Sequence, residues 1–280
     1  MSIIGKPIGI LVVLASLLGG FKLMGGDLAA IFHPSELVII LGVALGSFLV
    51  ATPVYIWWRT IKTVGRFFAG DKVNKRLYAE TIGLLEELAR TARASGMLAL
   101  EKHVVNPGVS PIFTHYSAVM KHKVLQKFIV DNFNYLLLNP PQSQNFEHHL
   151  MDQIDGIYSS LMEVPKATGK VADWLPGFGI VAAIMGVILT MTLLGGDMDV
   201  ALIGQSIGAA LVGTLAGVFF AFAVVAPFTH AVEVMNRQDK SLLEMTAAFL
   251  TAYANGVSPN LAVEIARQRI PPEYDLPRSN

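Results

Sequence analysis

Three long stretches of this 280-residue chain contain no charged residue, and they constrain its fold more than any other feature. They are Leu37–Trp58 with 22 residues, Trp174–Gly196 with 23 and Val200–Val232 with 33. A helix of about 20 apolar residues crosses the hydrocarbon layer of a membrane. All three stretches are therefore predicted to span a membrane, and the third is long enough to continue beyond it.

A fourth apolar stretch, Ile3–Met24, is interrupted by Lys6 and Lys22, which bracket 15 uncharged residues. A secretory signal peptide is the alternative interpretation. No small-residue cleavage pattern follows cleanly, however, and another apolar segment begins almost at once. Both lysines can extend from helix ends towards the membrane surface, so we expect this stretch to be a further span.

The 42 charged residues are unevenly distributed: residues 59–173 hold 25 and residues 230–280 hold 11, which leaves six for the rest of the chain. This segregation predicts an all-α integral membrane protein with four transmembrane helices. Residues 1–58 would form a first hairpin of two spans, 59–173 a helical cytoplasmic domain, 174–229 a second hairpin, and 230–280 a cytoplasmic helical tail.

Lysine and arginine near the spans predict the orientation, because they accumulate on the cytoplasmic side. They follow the second span, precede the third and follow the fourth. The short connections Gly25–His33 and Gly195–Asp199 contain none. Both termini are therefore expected in the cytoplasm.

The charged segments show helical patterns separated by turn residues. Breaks are predicted at Asn106-Pro107-Gly108 and at Asn139-Pro140-Pro141. The predicted helices are Tyr78–Leu100, Val124–Leu138, Phe146–Lys170, Glu233–Tyr253 and Leu261–Arg269. The third is expected to lead into the membrane, and the segments after the second and fourth spans are expected to extend those spans and pack together.

Several function classes lack support in the sequence. The net charge of zero argues against a nucleic-acid binder, and the absence of cysteine excludes thiolate chemistry. The run Gly204–Gly208 matches the hydrolase pattern GxSxG, but it lies inside a predicted span rather than at a strand-to-helix turn. The seven histidines lack zinc-site spacing. We therefore expect neither an enzyme nor a cofactor or metal site.

The three clear spans carry no acidic or basic residue at depth, and the last two are rich in small residues. Gly204 with Gly208, and Gly213 with Gly217, form GxxxG patterns that favour close helix packing. Such spans suit either a passive scaffold or a channel wall whose titratable group comes from another chain. Hydroxyls occur in these spans at Thr190, Thr192, Ser206 and Thr214, and a bond to the helix's own carbonyl is the ordinary role of such a group.

Two prolines lie near the ends of the last two spans that are predicted to be cytoplasmic. Pro176 can simply begin its helix, whereas Pro227 is expected inside a helix, where a proline removes a backbone hydrogen bond and bends the axis. Together they suggest a hinge or gate.

Four separate segments resemble the MotA family of flagellar motor stator subunits, and together with the order of the spans the resemblance covers essentially the whole chain. Ala172–Val187 is similar to the start of the family's third span, and Ala210–Gly217 to its fourth. Arg93–Glu101 resembles its rotor-facing segment. Asn255–Pro259 with Ala262–Glu264 resembles its tail motif.

The resemblance implies a homopentamer around two MotB-like chains in the bacterial inner membrane, surrounded by lipid. Each MotB-like chain has a single span and supplies the ion-carrying aspartate. The second hairpin would line the ion path with Thr214, Ala183 and Gly213, while Pro176 and Pro227 would couple ion transfer to movement. Arg93 and Glu101 would contact the rotor protein FliG through opposite charges.

The resemblance also bears on the transported ion. The sodium-driven, PomA-type branch carries Thr where Ala183 stands and a Thr pair where Gly213-Thr214 stands. Sodium needs several oxygen ligands, whereas a proton needs only a carboxylate and a water path, so this chain is predicted to use protons. An ExbB/TolQ-like energising subunit is a further alternative. The first hairpin and the Arg93–Glu101 segment disfavour it, because that group has three spans.

Overall fold

The computed structural model of the chain describes residues 5–70, 73–138, 143–193, 200–274 and 276, and these form helices and connecting turns without a strand. Two short 3-10 helices cover Leu28–Ile31 and Pro272–Tyr274, and a π-helical turn covers Phe220–Val225. The α-helices are α1 Gly5–Leu23, α2 Pro34–Ala51, α3 Val54–Ala69, α4 Lys75–Ser95, α5 Met97–Val105, α6 Pro111–His115, α7 Ser117–Lys121, α8 Lys123–Leu138, α9 Ser143–Leu193, α10 Val200–Phe219, α11 Ala226–Ala254 and α12 Pro259–Arg267.

The chain divides into two compact units. The span unit comprises Met1–Asp71 and Met162–Glu233, and the core unit comprises Lys72–Leu161 and Val234–Asn280. The span unit therefore includes residues 59–70 and 162–173, which the charge pattern had grouped with the predicted cytoplasmic domain. Helices α9 and α11 each contribute residues to both units.

Four helical segments are long and apolar enough to cross a membrane, as the sequence predicts. They are Gly5–Leu23, Leu28–Ala51, Asn145–Thr192 and Ser206–Ala254. Among the described residues of the span unit, the last three of these segments contribute to a small buried apolar cluster. Its members are Ile40, Ala44, Leu175, Ala182 and Ala221.

The second span differs from the prediction, because the uncharged stretch Leu37–Trp58 is not one helix. Helix α2 ends at Ala51 and α3 begins at Val54. Pro53 has no backbone N–H and disfavours helical dihedrals at the residue before it, and Thr52 accordingly adopts φ −129° and ψ 143°. The indole N–H of Trp57 donates to the Thr52 carbonyl at 3.1 Å and so satisfies a group freed by the break. The expected extension of this span therefore begins as a separate helix, α3.

Helix α9 passes through two prolines in 51 residues, which corrects the interpretation of Pro176 as the start of a helix. The predicted helix Phe146–Lys170 does lead into an apolar segment, so that expectation is confirmed. Pro165 cannot donate to the carbonyl four residues earlier, at Leu161. The side-chain amide of Asn236 donates to that Leu161 carbonyl at 2.8 Å instead, so the longer helix keeps this acceptor satisfied.

The core unit encloses a large hydrophobic core built from α4 to α8, the start of α9, α11 and α12. Its fully buried aromatic side chains are Tyr78, Phe113, Phe128, Phe133, Phe146 and Phe249. A buried polar pair also lies here. The His122 Nε2 atom is 3.2 Å from a carboxylate oxygen of Asp239, while His122 Nδ1 accepts a hydrogen bond from the Leu125 backbone N–H at 3.3 Å.

The predicted helix Tyr78–Leu100 is wrong at its end, because α4 stops at Ser95 and α5 begins at Met97. Gly96 has φ +82°, a conformation that favours glycine and lets the chain change direction. The predicted helix Val124–Leu138 is confirmed as α8, and the break at Asn106-Pro107-Gly108 is confirmed as well.

The tail also follows the prediction closely. Helix α11 contains the predicted segment Glu233–Tyr253, and α12 begins two residues before the predicted Leu261. The Ser258 side chain accepts from the Leu261 N–H at 3.4 Å and caps α12. The predicted break Asn139-Pro140-Pro141 and the connection Gly195–Asp199 lie outside the described residues.

Candidate functional site

Helices α9 and α10 meet along a seam of small residues, where their backbones are almost in contact. A Cβ atom placed on Gly217 would lie 2.7 Å from the Gly179 Cα and 2.7 Å from the Leu175 carbonyl oxygen. A Cβ on Gly179 would lie 2.8 Å from the Gly213 carbonyl oxygen. Since real Cβ atoms do not come this close to a backbone, only glycine fits here.

The two predicted GxxxG patterns behave differently. Gly213 and Gly217 pack against α9, as predicted, whereas a Cβ on Gly204 or Gly208 would meet no atom within 4 Å among the described residues. Gly213 and Gly217 therefore hold two helices of this chain together. Gly204 and Gly208 lie on the exposed side of α10, away from α9.

Two of the three predicted ion-path residues meet at this seam. A Cβ on Gly213 would lie 3.3 Å from both the Ala182 Cβ and the Ala183 backbone nitrogen. Gly213 is buried and Ala183 is half-buried. A hydroxyl-bearing side chain at position 213 would point into the helix contact, so glycine there has a packing role in this chain.

Thr214, the third residue, differs from the other span threonines in its hydrogen bonding. The Thr190 hydroxyl donates to the Gly186 carbonyl at 2.9 Å, and the Thr192 hydroxyl donates to the Leu189 carbonyl at 2.7 Å. Within the described residues, no hydrogen bond is formed by the hydroxyl of Thr214, which is half-buried. The side chain is therefore available to a water molecule or to a polar group of another chain.

The two predicted gate prolines lie in different local structures. Pro176 is half-buried inside α9, next to the buried Leu175. Pro227 follows the π-helical turn Phe220–Val225, in which the Ala226 N–H bonds to the Ala221 carbonyl five residues earlier. A proline interrupts the regular i to i−4 bonding, and a wider turn accommodates this interruption.

A cavity of about 490 Å³ lies beside this wide turn and is lined mainly by apolar side chains of the span unit. Pro227, Phe219 and Phe220 line it together with Phe67 and Phe68 of α3.

The structure also shows polar contacts in the span unit that sequence reasoning missed. The Arg59 guanidinium lies 2.7 Å from a carboxylate oxygen of Glu163, whose other oxygen accepts from the Tyr55 hydroxyl at 3.3 Å. The hydroxyls of Thr168 and Thr229 are buried and lie 2.8 Å apart. No local pattern marks these pairs, because their members are 104 and 61 residues apart in sequence.

The predicted rotor-facing residues both lie on the surface of the core unit. Arg93 is exposed in the last turn of α4, and Glu101 is exposed on α5. Burial raises the pKa of the Tyr253 hydroxyl, and the positive charge of Arg93 opposes this shift. The Tyr253 hydroxyl donates to the Met97 sulfur at 3.8 Å, at the start of α5.

A buried histidine fixes the loop that follows α5. His103 Nδ1 lies 2.9 Å from the Ser110 hydroxyl, and the Ser110 oxygen accepts from the Phe113 N–H at 3.3 Å, which caps α6. Burial lowers the pKa of His103, and the nearby charge of Lys102 acts in the same direction. Neutral His103 therefore holds the turn at residues 106–109 against α5.

Comparison with known protein families gives two matches along the chain. The Motility protein A N-terminal family matches residues 7–96, and the MotA/TolQ/ExbB proton channel family matches residues 120–245. Motility protein A of Escherichia coli strain K12 is 33% identical over 264 residues, which cover 94% of this chain and 88% of that protein. The chain belongs to the Motility protein A family.

Other relatives agree with this assignment. Chemotaxis protein LafT of Vibrio parahaemolyticus is 32% identical over 265 residues, covering 95% of this chain and 92% of that protein. The MotAB structure from C. jejuni has the same fold, with a TM-score of 0.77, 20% identity and 96% coverage of both chains. The flagellar MotAB stator complex from Bacillus subtilis gives a TM-score of 0.70 at 21% identity and 92% coverage of both chains.

Membership in the Motility protein A family identifies the chain as a flagellar stator subunit of the bacterial inner membrane, and as a channel-family protein rather than an enzyme. The ExbB/TolQ-like alternative is not favoured, because the Motility protein A N-terminal family covers the first hairpin and the relatives named above match nearly the whole chain. The passive scaffold interpretation loses its support because residues 120–245 match a proton channel family.

Proposed function

We propose that this chain forms, with a MotB-like single-span partner, a proton-conducting complex that turns ion flux into torque on the rotor protein FliG. The observation that carries the proposal is the half-buried Thr214, whose hydroxyl has no hydrogen-bond partner in the described part of the chain. The neighbouring seam is too close-packed to hold an ion itself. A hydroxyl in this position can bond a water molecule or the carboxyl group of a partner span.

The chain requires a partner because its three clear spans provide no titratable group at depth. Ion transfer through a membrane normally uses such a group. The related structures are described as MotAB, a complex of two kinds of subunit. We infer that the MotB-like chain supplies the aspartate and that Thr214 of a surrounding homopentamer faces it.

Proton coupling is favoured by the scarcity of oxygen ligands at this site. Ala183 has no side-chain oxygen, and Gly213 packs against α9. Thr214 alone would give a sodium ion too few ligands, whereas a proton needs only the partner's carboxylate and water.

Pro176 and Pro227 are proposed to couple this transfer to motion. Pro176 lies inside α9 and Pro227 lies at the start of α11, and both helices contribute residues to the two units. A proline removes a backbone hydrogen bond and so lowers the resistance of a helix to bending, and the π-helical turn next to Pro227 marks a second departure from regular helical bonding. Neutralising the partner's aspartate would then change the bend, and the change would reach the rotor through the core unit.

The orientation completes the proposal. We infer that both termini and the segments 59–173 and 230–280 lie in the cytoplasm, because lysine and arginine flank the spans next to these segments. Arg93 and Glu101, both exposed in the core unit, then face FliG and attract groups of opposite charge.

A threonine series tests the ion-path assignment. Thr214→Ala is expected to remove most of the torque measured from beads attached to single flagella, while Thr192→Ala retains it. Thr214→Ser keeps the hydroxyl and should retain most of the torque. Co-purification with the MotB-like partner shows that each variant assembles. Equal torque from Thr214→Ala and Thr192→Ala would contradict the assignment.

A further inference from the structure

Exposed apolar side chains are concentrated around α5 in the core unit. Six large apolar side chains are exposed in the described residues of that unit, and three of them lie within residues 98–109. They are Leu98, Val105 and Val109, with 83%, 57% and 82% of their surface exposed. Single exposed apolar residues are ordinary, but a cluster of them often marks an interaction surface.

The cluster follows one face of α5. Leu98 and Val105 are seven residues apart, which is close to two helical turns, so they lie on the same side of the helix. The opposite side is buried by Leu100, His103 and Val104. The exposure of Leu98 and Val105 is therefore not needed to complete the core.

Glu101 and the exposed Lys102 flank this apolar face on its two sides. Each is three or four residues from Leu98 and from Val105, which places them next to that face. Arg93 precedes the face by one turn of α4 and the Gly96 corner. The charges proposed to meet FliG and the apolar cluster thus form one continuous surface.

The surface is rigidly built. The Ser110 hydroxyl bonds to His103 and caps α6, which fixes the turn that carries Val109 next to α5. Residues held in place before binding lose less conformational entropy when a partner docks. Apolar side chains near the centre of an interface usually contribute more to affinity than charges at its rim.

We propose that Leu98, Val105 and Val109 form an apolar ridge that packs into FliG between the charged contacts of Arg93 and Glu101. This inference rests on the proposed function. Its partner surface is an apolar groove bordered by an acidic group opposite Arg93 and a basic group opposite Glu101. The charges steer and align the encounter, and the ridge provides contact that salt does not screen.

Photocrosslinking in assembled motors tests the contact directly. The photoreactive amino acid p-benzoylphenylalanine is placed at position 98 or 105, and at position 138 as a control, because Leu138 is 81% exposed in the same unit. Illumination is expected to give covalent adducts with FliG from positions 98 and 105 and none from position 138. Absence of FliG adducts from positions 98 and 105 in motile cells would contradict the proposed contact between the apolar ridge and FliG.

A second experiment tests whether the contact is apolar. In cells with the photoreactive residue at position 105, Leu98→Gln is expected to lower the adduct yield about fivefold or more, the change that accompanies loss of an interface anchor. Leu98→Met retains apolar surface and should retain the yield. Leu138→Gln is the matched control. Equal yields from Leu98→Gln and Leu98→Met would overturn an apolar role.

The outcome separates the ridge from the proposed function. If the unaltered chain restores motility but the ridge positions give no adduct, only the ridge is wrong. If the unaltered chain with its MotB-like partner cannot restore motility to a strain that lacks its own stator, the proposed function fails first and the ridge fails with it.

Discussion

The two units of this chain hold their helices together in opposite ways. The core unit buries large side chains, among them six fully buried aromatic rings. The span unit buries mostly small residues at the contact between α9 and α10 and exposes its large ones, and the described part of α1 has no buried residue. The core unit contains its own hydrophobic core, whereas the span unit depends on lipid and other chains to cover its apolar surface.

This difference follows from the surroundings that each unit is built for. In water, burying large apolar side chains is the main source of stability. Between helices in a membrane the lipid is as apolar as leucine, so close backbone approach through glycine and alanine takes that role. The same substitution should therefore have different effects in the two units.

The largest expected effect is the loss of a core aromatic ring. Phe128→Ala in the core unit should destabilise the protein by about 3–5 kcal/mol, because it removes a buried ring and leaves a cavity. Leu11→Ala in α1 is the comparison, since Leu11 is exposed. Thermal unfolding of the detergent-solubilised protein measures both. A similar loss for the two variants would remove the distinction between the units.

The second effect comes from adding volume in the span unit, where the first came from removing volume in the core unit. Gly217→Ala adds a single methyl group, but its Cβ would lie 2.7 Å from backbone atoms of α9. We expect a cost of about 1–3 kcal/mol from overpacking, together with loss of motility. Gly208→Ala is the matched control, because its Cβ would meet no described atom within 4 Å. Normal torque and stability in Gly217→Ala would contradict the close seam.

The third effect concerns the Arg59–Glu163 pair in the span unit. Both side chains are about one-third exposed, so solvent screens their attraction. A double-mutant cycle with Arg59→Gln and Glu163→Gln should give a coupling of about 0.2–1 kcal/mol in thermal unfolding. A coupling of several kcal/mol would mean that this ion pair contributes more to the stability of the span unit than the glycine seam does.

The smallest effect is a pH dependence in the core unit. Burial lowers the pKa of His103 in the folded state, so the unfolded chain binds a proton more readily. The stability from neutral His103 is complete above its unfolded pKa of about 6.5 and falls as the pH drops through the lower folded pKa. His103→Gln should therefore weaken the loss of stability on acidification. His115→Gln, at an exposed histidine of the same unit, should leave that loss unchanged; an identical pH profile in both variants would refute the role of His103.

The sequence was most informative where one physical effect dominates. The length of the apolar stretches predicts the four spans, and GxxxG spacing predicts the contact of Gly213 and Gly217 with α9. It was less informative where local and distant effects compete. The break at Pro53 and the continuation of α9 through Pro165 and Pro176 involve the same residue type with opposite outcomes.

Part of that contrast is visible in the structure. At Pro53 the preceding Thr52 leaves the helical region, and its freed carbonyl accepts from the Trp57 indole N–H. In α9 the carbonyl freed by Pro165 accepts from Asn236, 75 residues away. A partner so distant in sequence leaves no local pattern, and neither do the pairs Arg59–Glu163 and His122–Asp239.

The three predicted ion-path residues differ in their local surroundings, and the sequence did not predict this difference. The resemblance indicated Ala183, Gly213 and Thr214 together. The structure places Gly213 in the helix contact and leaves the Thr214 hydroxyl without a bond to any described residue. Side-chain direction around a helix, which changes by about 100° per residue, separates the two neighbours.

The most direct test of the central claim is swimming in a strain that has filaments but lacks every stator of its own. Coexpression of this chain with its MotB-like partner should restore swimming, and a protonophore should slow it even in sodium-rich medium. Swimming that requires sodium would contradict proton coupling at Thr214. Failure to restore swimming, with both proteins present in the membrane, would contradict the stator function.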